Sequence, residues 1–338
     1  MTLDLTRQTF LQSISLSMMM VVLYVVGFLF FGPSCIADAT IVSGATFIGN
    51  GFQSIASNFP NFTFTLQVFL ILINSLFISR IYIRSIIHIK RSHIASLIYL
   101  FLSCSAICNS YTIVPHIVAF MMMSAVSLSL RVKKHRNCAR NFFLAYFYIG
   151  AATILFLPAI VTVSIPLSLL FVNQRFYPKE LLSSLVGLLL PFFMVSYYFW
   201  LFEADFLLFF DEVYMQLLTY SDNMSLYQLF MANPMNIVLL LFVVVIALWA
   251  VFKFINSSEK RRRLKNALVV FWTFAALVCV LVLLFPALFV LSLPILSIPF
   301  SFLVALFFNQ NSSRMVANIV FILFVTLSVV SLLFGLFI

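Results

Sequence analysis

Charge is what this chain has least of. Only 8% of its 338 residues are Asp, Glu, Lys or Arg, and nine of them are acids. Soluble domains carry about a quarter charged residues. So small a polar inventory cannot cover a water-soluble globule, and lipid must supply most of the solvent. Alternating ten-residue apolar segments are missing too, which excludes an outer-membrane barrel. Cysteine is sparse: Cys35, Cys104, Cys108, Cys138 and Cys279 make no CxxC pair and have no His at ligand spacing, which argues against a zinc site. Cys104 and Cys108 share a helix face and read as buried thiols, with a disulfide to Cys35 as the lesser alternative. No Walker loop, dinucleotide fingerprint, GxSxG or HExxH occurs. Charges are also missing from the middle of the apolar runs, which weakens ion-coupled transport.

What remains is apolar: 64% of the residues are hydrophobic, and 42 of them are Phe. The runs predict an all-α polytopic transmembrane bundle forming a single integral membrane domain over 1–338. About eleven spans are expected, at 13–31, 64–82, 94–109, 112–130, 141–157, 159–173, 181–202, 235–252, 266–285, 294–308 and 315–337. The opening MTLDLTRQTF lacks a cleavable signal pattern, so 13–31 is expected as a retained first span. With the N-terminus inside, the inner loops are 80–93, 131–140, 174–180, 253–265 and 309–314. Counting Arg7, all nineteen Lys and Arg then sit on one side. This is the positive-inside rule, and it favours an odd number of spans with the C-terminus outside a bacterial inner membrane. The net charge of +10 therefore reads as a topology determinant rather than as a sign of nucleic acid.

Two long segments fall outside. Residues 32–63 are neutral apart from Asp38, and Ile41, Ile48, Phe52, Ile55 and Phe59 recur on one face of an interfacial helix. Residues 203–234 hold Glu203, Asp205, Asp211, Glu212 and Asp222 and no base. Asp205, Glu212, Gln216 and Thr219 share one face, so a second interfacial helix with an acidic outer stripe is expected. That stripe can stay solvated, dock a membrane or periplasmic protein partner, or hold a divalent metal; no cofactor is otherwise expected. His116 at the outer end of its span could donate to a phosphate or remain a neutral interfacial residue. On the inner side Lys260, Arg261, Arg262, Arg263 and Lys265 can bind anionic lipid headgroups, or act for topology alone. Arg80, Arg84 and His88 share a helix face, where they could cradle a lipid phosphate or simply snorkel.

The stretches Phe176 to Pro191 and Ile298 to Phe324, with RSHIASLIYLFLSCSA before them, resemble a Bacteroidota family of multi-pass inner-membrane proteins that carries no assigned activity. The layout is also similar to GT-C-type lipid-linked-sugar glycosyltransferases: long outer segments after the first and seventh spans, with tight turns between. That likeness implies GT-C-like organisation, a polyprenyl-phosphate-linked sugar substrate and a role in cell-envelope assembly. It puts Asp38 in the place of the catalytic base, with His116 and Glu203 as candidate second members. The class usually offers a second acid beside the first, and 32–63 holds none. The outer side also lacks the Lys or Arg that a lipid phosphate would want. Two other readings therefore stay open: a non-catalytic scaffold or complex subunit, and a lipid or small-solute transporter.

Overall fold

The computed structural model describes residues 58–85, 94–107, 113–131, 138–172, 177–203, 211, 214–215, 226–255, 262–310 and 314–337. In chain order the helices are α1 (Pro60–Ser85), α2 (Ile94–Ile107), α3 (Val114–Ser129), α4 (Ala139–Leu155), α5 (Ser164–Val172) and α6 (Pro178–Glu203). They continue with α7 (Leu226–Ala232), α8 (Pro234–Ile255), α9 (Arg262–Leu284), α10 (Phe289–Gln310) and α11 (Arg314–Phe337). Short 3-10 segments, Leu157–Val163 and Pro286–Leu288, lead into α5 and α10. No strand occurs among the described residues. Proline explains several starts. Pro60, Pro178 and Pro234 each open a helix and Pro115 sits in the first turn of α3, where the missing N–H would have had no partner.

Every described helix from α1 to α11 except the short α7 falls on one of the expected runs. Among the described residues six stretches are long and apolar enough to cross a membrane: Asn61–Arg84, Pro178–Phe202, Pro234–Ile255, Leu264–Leu284, Pro286–Asn309 and Met315–Leu332. Four apolar helices among the described residues are shorter: Ile94–Cys104, Val114–Ser129, Ala139–Leu155 and Leu157–Leu170. The run expected as one span over 159–173 is a 3-10 segment followed by nine α-helical residues. That α-helical part rises only about 13 Å, well short of a roughly 30 Å hydrocarbon core. The expected span 13–31 lies outside the described residues.

Helix α10 is the axis of the bundle. It touches α1, α2, α3, α8 and α9, and every residue from Leu291 to Phe308 is buried. A helix apolar on all sides has no face to offer water, so burial all round is its stable place. Its serines do not violate that environment. Ser292, Ser297 and Ser301 turn their hydroxyls back onto the carbonyls of Phe289, Pro294 and Ile298, at 2.6–2.8 Å. Phe302 stacks on Phe271 of α9 and takes the ring of Tyr82 edge-on.

The polar contacts fix helix directions. Gln67 and Asn74 of α1 meet the first turn of α3, and Tyr82 near the end of α1 meets Ala305 and Asn309 near the end of α10. The Cys138 N–H, just ahead of α4, donates to Glu180 in the first turn of α6 at 3.2 Å. Ser331, late in α11, donates to Asn236, early in α8. Thus α1, α3 and α10 run one way, α4 runs with α6, and α8 opposes α11. Within each of these sets the described basic residues lie at one end. Arg80, Arg84 and Lys253 close α1 and α8, Arg131 follows α3, and Arg140, Lys179, Lys265 and Arg314 open α4, α6, α9 and α11.

Candidate functional site

The residues singled out from the sequence scatter. Asp38, Asp205, Glu212, Asp222, Lys260, Arg261 and His88 lie outside the described residues. Asp211 and Lys265 are exposed, as are Arg80 and Arg84. Glu203 is the last residue of α6, and Arg262 and Arg263 open α9. Cys104 is buried; Cys35 and Cys108 lie outside the described residues. Among the described residues no three His, Cys, Asp or Glu side chains gather to hold a metal.

His116 is the exception. It sits in the first turn of α3 with 2% of its surface exposed, and it is the centre of a polar seam between α1, α2 and α3. Its Nε2 lies 3.2 Å from the Gln67 amide nitrogen. One turn of α1 is 3.6 residues, so Thr63, Gln67 and Asn74 fall within about 40° of each other on one face. All three are fully buried. Asn74 donates to the His116 carbonyl at 3.0 Å, which serves a backbone acceptor in the opening turns of α3. Below this, the Tyr99 hydroxyl lies beside Ser103, Asn74 and Ser297. Ser103 and Ser297 pair at 3.1 Å, linking α2 to α10.

Ser297 also borders a narrow cleft between α2, α8 and α10. Leu102, Leu239, Leu296 and Phe300 form its apolar walls, with Asn236 as a further polar member. At the start of α4 and α6 stands a second buried polar group, Glu180, 2% exposed. Its carboxylate accepts the Cys138 N–H, and Ser183 donates to the Ala139 carbonyl at 2.8 Å. An acid in the first turn of α6 is also favoured by that helix's own dipole.

The seam is a neutral hydrogen-bonding surface. It can orient and satisfy polar groups, but it offers no carboxylate base and no cation. The sequence held one signal for it, the shared face of Thr63, Gln67 and Asn74, which carries no charge to mark it. Helices and seam together fit a multi-pass transmembrane protein with a polar strip in an apolar interior. No protein-family model, curated protein or solved structure matches the chain.

Proposed function

We propose that this chain crosses a bacterial inner membrane eleven times, N-terminus in the cytoplasm and C-terminus outside. In this reading it transfers a sugar from a polyprenyl-phosphate-linked donor at the outer face, with GT-C-like organisation. One observation carries it: in each set of helices whose contacts give their relative direction, the described Lys and Arg lie at one end, and α6 leads away from its own basic start into the acid-rich segment. That polarity supports the two long segments, 32–63 and 203–234, lying on the outer side, where such a reaction takes place. His116 opens α3 at that same outer end. Asp38 is the base and accepts the proton of the acceptor hydroxyl; His116 and Glu203 are its candidate second members.

The test is sugar transfer in proteoliposomes supplied with polyprenyl-phosphate-linked sugars. Asp38→Asn keeps the volume and hydrogen-bonding reach but removes the basicity, so it abolishes transfer while the protein still inserts. Asp205→Asn changes the rate little. Unimpaired transfer by Asp38→Asn would sink the proposal.

A second reading is favoured by the missing outer cation: no described Lys or Arg stands at the end where a lipid phosphate would need neutralising. The alternative is a membrane scaffold that docks a cationic partner on Asp205, Asp211, Glu212 and Asp222. Its mark is the reverse pattern, an active Asp38→Asn and a defect confined to the acidic stripe.

A further inference from the structure

We propose that the polar seam between α1, α2 and α3 is a built water site, holding ordered molecules along the buried face of α1 from Thr63 to Asn74. The proposal is independent of the glycosyl-transfer reading and rests on three atoms. Thr63 Oγ1, Asn74 Oδ1 and His116 Nδ1 are buried and have no hydrogen-bond partner among the described residues. Thr63 and Asn74 have no exposed surface, and His116 has 2%. In water such atoms would be solvated, and between lipid-facing helices only the protein or something it holds can serve them.

The chemistry of His116 narrows what is held. If its Nε2 accepts from the Gln67 amide, the ring proton sits on Nδ1, which then needs an acceptor. If the Gln67 amide is turned so that its oxygen accepts from Nε2–H, Nδ1 bears a lone pair and needs a donor. Asn74 Oδ1 is an acceptor only, and Thr63 Oγ1 is both donor and acceptor. A ligand that donates and accepts satisfies every case, and water is the smallest such molecule. A metal ion does not fit. Thr63 and Asn74 stand eleven residues apart, about 16 Å along the axis of α1, too far to share one ion. Several waters, each with its own anchors, match the spacing. They would reach down to the Tyr99 hydroxyl and the Ser103–Ser297 pair, carrying polar contact from the outer third of α1 to the core helix α10.

Radiolytic footprinting of the full chain in lipid nanodiscs tests this. Hydroxyl radicals form where water is, so a buried ring beside bound water is oxidised and an equally buried dry ring is not. His116 is expected to be oxidised at least several-fold faster than Phe142 and Phe274, which are fully buried and comparably reactive towards the radical. Asn74→Leu removes one anchor and is expected to lower the His116 rate by several-fold, with Phe274 unchanged. Oxidation of His116 no faster than that of Phe142 in the unmodified protein overturns the proposal. So does a folded Asn74→Leu with an unchanged His116 rate. Should that variant fail to fold, Thr63→Val takes its place under the same criterion.

Discussion

Tyr82 closes one end of the bundle with a single hydroxyl. It donates to the Ala305 carbonyl at 2.9 Å and accepts from the Asn309 amide, so α1 and α10 are joined near their C-terminal ends. Its ring packs edge-on against Phe302 with centroids 5.3 Å apart. Tyr82→Phe keeps that packing and removes only the hydroxyl, leaving the Asn309 amide without its partner. Such polar contacts are worth about 1–2 kcal/mol at most between helices in a membrane. A fall of that order in unfolding free energy, measured by denaturant titration in detergent, is the expected outcome. Tyr82→Ala also loses the ring and should fall clearly further. Equal losses for the two variants would mean that the hydroxyl carries the whole effect. Little of this was legible in the sequence. Hydropathy marks Tyr82 only as the end of an apolar run, and its partners lie 223 and 227 residues away. His116 is similar: its place at the start of a span could be read, but not its partner 49 residues earlier.

Between elements, burial varies widely. In α10 89% of the membrane-length window is buried, in α6 only 22%. Yet α6 is held closely to α4 through two glycines. A Cβ on Gly187 would come within 2.4 Å of the Phe143 carbonyl oxygen, and one on Gly150 within 2.6 Å of that of Leu188. Both obstacles are backbone, which cannot swing aside as a side chain can. Small residues at such crossings let membrane helices approach and gain dispersion contact that lipid would otherwise supply less well. Gly187→Ala should therefore push the two helices apart and destabilise the protein by roughly 1–3 kcal/mol, the usual cost of overpacking. Thermal unfolding in detergent measures it. Leu185→Ala, on the exposed face of the same helix, is the control and should change little. Element positions were largely legible, because an apolar run bounded by Pro or by charge leaves few other structures open in lipid. Which helix lies in the centre was not. The runs of α6 and α10 are both long and apolar, and only the face-by-face distribution of Lys, Glu, Tyr and Trp on α6 separates them. The break before α5 was also hidden, since Pro158 and Pro166 could as well have stood within one kinked span.

Charge organises the whole molecule. Hydrophobic burial has no preferred direction across a bilayer, so the same bundle could insert either way up; Lys and Arg decide the matter because they resist translocation. The sequence put all nineteen basic residues on one side of the proposed topology. Within each set of helices that a contact relates, α1 with α3 and α10, α4 with α6, and α8 with α11, the described ones lie at one end. The two arguments share no step, one counting loops along the chain and the other following contacts between helices. Asp211 and Arg131 make the comparison direct, since both are exposed and they belong to opposite sides of the proposal. In a chain whose five native cysteines are replaced by serine or alanine, Asp211→Cys should react with a membrane-impermeant maleimide on intact spheroplasts. Arg131→Cys should react only after the membrane is opened; its loop keeps four other basic residues, so one substitution does not reverse the insertion. Labelling of Arg131→Cys on intact cells, or of both positions equally, would overturn the orientation. It would also remove the outer-face reading of Asp38, since a lipid-linked donor presented outside could no longer meet that residue.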